Sequence, residues 1–309
     1  MIISTWNVNS IKVRLPNVLQ YLSEYEPDVL VLQETKSIDL NFPKEEILSS
    51  GYNSYYCGQK TYNGVAILSK GECLDIELNP VAIDEDEIRT ISCTYNDLRV
   101  LNVYVVNGKS VGSDKYQHKL KWLNKLNKYC ELSLTDFKNF MVLGDFNIAP
   151  TDNDVFDIES TKDQILCSVD ERKSFNNLLK LGLYDLFEKF DFSPQTFSWW
   201  DYRAGAFHRN IGYRIDHILG SKSVLDGCKS FIIDKKINEV YHLAAILSAK
   251  GEKDPMRTWN LNMNSLFNIL KLAKEGIIEK VFWPSSIAVF GNNNPKNDTP
   301  QFSDKEPIT

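Results

Sequence analysis

The stretch NFMVLGDFN (Asn139–Asn147) decides how the rest of the chain is read. Its apolar run, closed by Gly144, suits a buried strand. Asp145 and Asn147 then fall on one side of an extended segment at the strand end. A single Asp after a strand is ordinarily a turn or capping residue. The segment therefore gains meaning only from others like it.

Working outward, runs rich in β-branched and aromatic residues recur: MIISTWNV, DVLVLQE, GVAILSK, IRTISCTY, RVLNVYVV, TFSWW, YRIDHILGS and KSFIID. Their lengths and turn-rich borders suit strands. Helical stretches lie between them. RLPNVLQYLSEYEP opens with Pro16 near a helix start and stops before Pro27, and residues 114–138 carry apolar and basic residues at helical spacing. The fold class this implies is α/β, with two packed sheets covered by helices.

Acidic and amide residues sit at the ends of these strands, where side chains can converge on a cleft. Asn7 ends the first run, Glu34 the second, and Asp216 lies in YRIDHI. Hard oxygen donors of this kind suit Mg²⁺, with Mn²⁺ as an alternative, and an ion so held would neutralise phosphate charge while a carboxylate activates water. Taken singly, each residue has a plainer reading, Glu34 as a solvated strand end among them.

Residues 1–236 resemble the exonuclease III family of AP endonucleases. The words that carry the resemblance are STWNVNSIKVR, PDVLVLQETK, NGVAILSK, LNVYVVNG, HKLKWL, GDFNIAPTDNDV and FSWWDYRAGAFHRNIGYRIDHIL. The resemblance implies a Mg²⁺-dependent DNA-repair nuclease acting on duplex DNA at abasic sites or 3′ ends. It makes Glu34 the principal metal ligand with Asn7 beside it, and adds Asp145 and Asn147 to that set. Asp145 positions or deprotonates the attacking water, Asn147 contacts the phosphate, Tyr104 is the active-site tyrosine, and Asp216 is the supporting carboxylate. Arg89, Asn107, Trp199 and Arg203 are the implied DNA contacts. Adjacent strand residues face opposite ways, so only one of Trp199 and Trp200 should meet the cleft. Where the family usually has proline, this chain has Val106, which is expected to loosen the loop carrying Tyr104 and Asn107.

The family's chain closes with a Ser-Asp-His motif before a last core strand, and no such triplet occurs here. The expected sandwich lacks that strand and its histidine, and catalysis is expected to suffer because such groups act as a unit. One rescue is that EVYHLAAIL takes the vacant edge and brings His242 to the site.

Residues 237–309 change rhythm. EVYHLAAIL, a helical stretch, then EKVFWPSSIAVFG reads as strand–helix–strand, a partial Rossmann-like unit. It resembles the extended short-chain dehydrogenase/epimerase family, most closely L-threonine 3-dehydrogenase-like members, in which His242 borders the NAD site and Ser286 is the catalytic serine. No glycine-rich strand–turn–helix precedes the segment and the Tyr-x-x-x-Lys pair is missing, so the NAD site is expected to be incomplete.

Composition limits the alternatives. The 309 residues carry a net charge of −6, with the acidic excess confined to the first 236 residues, which argues against a nonspecific DNA coat. A local basic rim around an acidic site remains compatible with that charge. Six scattered cysteines without a CxxC pair read as reduced structural thiols. No membrane span is expected, and a cytoplasmic monomer is the default reading.

Overall fold

A computed structural model describes residues 1–84, 86–201, 205–207, 209–234 and 239–241, together with 263–264, 266–267, 270–271, 273–274 and 280–282. The chain divides into two compact units, Met1–Ile233 and Asp234–Thr309. Among the described residues, no helix is long and apolar enough to cross a membrane.

In the first unit, β1 (Ile3–Asn7) is followed by α1 (Ile11–Tyr25), β2 (Val29–Gln33), α2 (Lys44–Ser49), β3 (Asn53–Cys57) and β4 (Val65–Ser69). These strands form a mixed four-stranded sheet in the order β1-β2-β4-β3. Next come β5 (Cys73–Leu78), β6 (Thr90–Tyr95), β7 (Leu98–Tyr104), α3 (Asp114–Asp136), β8 (Phe140–Asp145), α4 (Ile158–Thr161), α5 (Val169–Lys180) and β9 (Tyr184–Asp185). The short ribbon β10 (Trp199–Trp200) with β11 (Gly212–Tyr213), then β12 (Asp216–Gly220) and α6 (Lys222–Gly227), complete the unit. The second sheet is six-stranded, β5-β6-β7-β8-β12-β9.

Strand alternation explains the layering. In β2, Val29 and Val31 join the core that also holds Val100, Met141 and Leu143 of the six-stranded sheet, so this core lies between the sheets. Leu30 and Leu32 point the other way, into the core beneath α1 with Val18 and Leu22. In the six-stranded sheet, Leu101, Val103, Phe140 and Val142 pack under α3 and α5, against Trp122, Leu126 and Phe175. Two sheets thus face each other with helices on both outer faces.

A buried amide fixes one sheet against the other. Asn102 Nδ2 donates to the carbonyls of Leu32 and Ala66, each at 2.9 Å, and Asn102 Oδ1 accepts from Gln33 Nε2 at 2.7 Å. Each of these atoms would otherwise be buried without a partner.

Three expectations need correction. KSFIID forms no strand, since 229–234 carry no ladder partner. The first helix starts at Ile11, so Pro16 lies inside it rather than near its start. Val106 is buried in the core under α3, so it packs the loop it was expected to loosen. The sequence reading also passed over β3, β5 and the two-residue β9.

In the second unit, β13 (Glu239–Tyr241) pairs in parallel with β14 (Lys280–Phe282), and the described residues between Met263 and Lys274 are helical. This is the strand–helix–strand order read from the sequence. Glu239–Tyr241 takes β14 as its ladder partner. His242 and Ser286 lie outside the described residues.

Candidate active site

Register brings three residues into one row. Tyr104 pairs with Asp145 across the parallel β7–β8 ladder, and Asp145 with Asp216 across the antiparallel β8–β12 ladder. From the facing sheet, Asn7 ends β1 opposite Gln33 of β2, and Glu34 follows directly. The same ends of two sheets therefore deliver Asn7, Glu34, Tyr104, Asp145 and Asp216 to one place.

Glycine makes the approach of β8 possible. Gly144 has φ 143°, and a Cβ there would sit 2.0 Å from the Val103 carbonyl oxygen. Glu34 takes φ 52° and Asn147 φ 49°. Asn tolerates this left-handed conformation, whereas for Glu34 it stores strain of about 1–2 kcal/mol.

Asn7 joins the two halves of the site. Its Nδ2 donates to Glu34 Oε1 at 3.0 Å and to Asp145 Oδ2 at 2.9 Å. Glu34 also pairs with Lys36 at 2.8 Å. Burial alone would raise the Glu34 carboxyl, but hydrogen bonds from Asn7, Lys36 and Tyr104 bring it below its ordinary range. Asp145 behaves oppositely. Burial, with the Glu34 charge adding to it, pushes its carboxyl up to about 6 despite hydrogen bonds from Asn7 and the Asn147 amide.

Asp216 is raised well above the ordinary range, first by burial and then by the charge of Asp145; Ser198 Oγ donates to its Oδ2 at 2.6 Å. Crowded carboxylates that raise one another match the donor set of a hard divalent cation. The residues present thus fit such an ion.

The other expected residues are placed as follows. Arg89 is buried; it pairs with Glu87 at 2.7 Å, donates to the Tyr104 carbonyl at 3.2 Å and lies 4.7 Å over the Tyr104 ring. Asn107 Nδ2 donates to Asn147 Oδ1 at 3.1 Å, and Asn147 Nδ2 to the Val105 carbonyl at 3.0 Å. The Asn147 amide oxygen is thus committed to Asn107, while one hydrogen of its Nδ2 is left for a ligand. Trp199 faces Tyr213 across the β10–β11 ribbon with ring centroids 6.1 Å apart. Trp200 takes the opposite face, against Phe207 at 4.9 Å. Arg203 lies outside the described residues.

His217 does not meet Asp216. It is buried, and its Nε2 lies 2.8 Å from the Ile148 carbonyl while its Nδ1 faces Arg214 Nη1 at 3.0 Å. His118 pairs with Glu87 at 2.6 Å. Among the described residues, no histidine faces Asp145 or Asp216. A further group of possible metal donors, Asp84, Glu87 and His118, borders the site through Arg89, which pairs with Glu87 and donates to the Tyr104 carbonyl. There Glu87 is already engaged by the Arg89 cation, which disfavours a second cation.

Sequence reasoning missed Tyr213, Ser198, Asn102 and Lys119 as parts of the site's frame. Tyr213 and Ser198 stood within FSWW and GYRIDHIL, and pairing those two words as a ribbon would have exposed them. Lys119 and Asn102 carried no signal, because a lysine in a helix and an asparagine in a strand read as solvated.

A two-sheet α/β sandwich with a carboxylate-rich centre at its shared strand ends defines a hydrolase-type scaffold. Residues 4–234 match the Endonuclease/Exonuclease/phosphatase family, and the chain belongs to that family. Residues 216–308 match the NAD dependent epimerase/dehydratase family. Exodeoxyribonuclease III of Haemophilus influenzae is 32% identical over 237 residues, 72% of this chain and 89% of that protein. Among solved structures, the 3′ phosphatase NExo from Neisseria, bound to a product DNA hairpin, is 41% identical with TM-score 0.71, covering 72% of this chain and 88% of that one. An AP endonuclease from Archaeoglobus fulgidus is 34% identical with TM-score 0.70, covering 73% and 89%.

Proposed function

We propose that this chain binds duplex DNA at abasic sites or 3′ ends and hydrolyses phosphate esters there, with chemistry slowed by the missing Ser-Asp-His closure. The observation that carries the reading is the row Tyr104, Asp145, Asp216, joined to Glu34 through the Asn7 amide. A divalent cation held by Glu34, with Asn7 and Asp145 beside it, would supply neutralisation of phosphate charge.

The protein's own groups divide the remaining work. Asp145, raised to about 6, is placed to hold and deprotonate a water near neutral pH. The free hydrogen of Asn147 Nδ2 is placed to meet a phosphate oxygen, and Arg89, braced by Glu87, adds positive charge beside Tyr104. Trp199 with Tyr213 offers an aromatic wall to a sugar or base.

The deficit lies at Asp216. Two neighbouring buried carboxylates, Asp145 and Asp216, have no imidazole among the described residues to share their charge. The sandwich is read as lacking its last strand, with the second unit a partial Rossmann-like segment without a complete NAD site. That deficit also favours a second reading, a DNA-binding protein without turnover.

The two readings part in one experiment. Duplexes bearing an abasic site or a 3′-phosphate are incubated with Mg²⁺, with EDTA, and with Glu34→Ala in place of the parent. Metal-dependent product that Glu34→Ala reduces at least about 100-fold supports hydrolysis. Retained DNA binding with no product at any Mg²⁺ concentration leaves the second reading.

A further inference from the structure

We propose that Lys119, on the helix covering the six-stranded sheet, is a positioning residue whose buried ammonium sets the Asn107 and Asn147 amides where a phosphate must bind. The inference rests on the catalytic reading above.

Lys119 is fully buried, although nothing in HKLKWL marks it apart from the lysine two residues on. Its Nζ has three acceptors for its three hydrogens: the Asn147 carbonyl at 2.7 Å, the Asn107 carbonyl at 3.3 Å, and Glu171 Oε1. Two of these belong to the loops leaving β7 and β8, the parallel neighbours that end at Tyr104 and Asp145. The side chains of the same two residues bond each other, Asn107 Nδ2 to Asn147 Oδ1 at 3.1 Å. The ammonium therefore fixes both main chains behind the amides that meet each other in front.

Glu171 holds the ammonium in place. It is fully buried in the first turn of α5, where Oε1 accepts from the Leu166 amide at 3.2 Å and Oε2 from the Ser168 amide at 3.1 Å and hydroxyl at 2.6 Å. Ser168 in turn bonds the Tyr116 hydroxyl at 2.7 Å, tying α5 to α3. Neither charge touches solvent. A buried ion pair adds little net stability over an apolar pair of the same shape, so its geometry is the more telling feature.

The test uses the full chain with Lys119→Met/Glu171→Gln, which removes both charges and leaves no buried ion unpaired. Near-UV circular dichroism establishes folding. On a 3′-phosphate duplex with Mg²⁺, the expected result is a kcat lower by about 100-fold with KM little changed, the signature of lost alignment. In an Asn147→Ala background, the same change is expected to cost less than about twofold, because the residue acts through Asn147.

A folded double variant with parental kcat overturns the proposal, as do losses that multiply in the Asn147→Ala background. Failure to fold also overturns it, since Lys119 is then architectural. A parent without turnover defeats the catalytic reading instead. The side-chain amide resonances of Asn107 and Asn147 then decide: displacement of these two alone in the double variant supports positioning, and unchanged positions refute it.

Discussion

The six-stranded sheet brings Tyr104, Asp145 and Asp216 to the site on strands with a neighbour on each side, whereas the four-stranded sheet brings Asn7 on β1, which has one neighbour among the described residues. Every residue of β8 is buried, and every residue of β1 is half-buried. Behind β8, successive carbonyls of the Asp145–Ile148 turn meet buried ionisable groups: Asn147 meets Lys119, and Ile148 meets His217 backed by Arg214. Asn7, by contrast, bridges Glu34 and Asp145 and accepts from the Asn9 amide at 3.1 Å, with no buried ionisable group behind it among the described residues. One half of the site is held from outside by the fold, and the other is held by the site's own side chains.

Arg214→Met should give the largest effect. Arg214 is buried against Asp154 at 2.5 Å and Asp185 at 2.7 Å, with its guanidinium 4.2 Å from the Phe187 ring centroid. Removing the cation strands two buried carboxylates, at a cost of roughly 3–5 kcal/mol. Urea unfolding followed by far-UV circular dichroism measures it. A loss below about 1 kcal/mol would show that the six-stranded half does not depend on this network.

The same network gives a pH test. Burial would raise Asp185, but the nearby His217 ring and the Arg214 charge override it, bringing its carboxyl down to about 2. A carboxyl lowered on folding stabilises the folded state fully above its unfolded value near 4, and that contribution fades as pH falls toward 2. It amounts to about 2 kcal/mol. Urea midpoints between pH 5 and pH 2 should therefore fall more steeply for the parent than for Asp185→Asn, and parallel slopes would remove Asp185 from the account.

The asymmetry also explains what the sequence reveals. Strand runs such as DVLVLQE and NFMVLGDFN are legible because a strand buried on both faces is apolar throughout, and the site acids stand at their ends. Segments such as Asn53–Cys57 and Cys73–Leu78 escape because they mix polar and apolar residues at sheet edges, where solvent accepts either. Lys119, Glu171, Arg214 and Asp185 escape for another reason. A charged residue is buried only when a distant partner meets it, and Arg214 lies 60 residues from Asp154 in the chain. Pro16 is a poor guide to the helix start because proline favours first turns, whereas this helix carries it one turn further in.

Asn7→Ala probes the weaker half and should move stability least. Its side chain spans Glu34 and Asp145, yet β1 is an edge strand among the described residues and the released carboxylate oxygens can take water, so the loss should stay below about 1 kcal/mol. The chemistry should respond far more. Without the amide, the bridge between Glu34 and Asp145 is lost, and the Asp145 carboxyl rises further because one of the hydrogen bonds holding it down is gone. Turnover should then fall at least about tenfold while the unfolding midpoint hardly moves. A midpoint shift as large as that of Arg214→Met would mean that the open-edge half carries structural weight equal to the enclosed half.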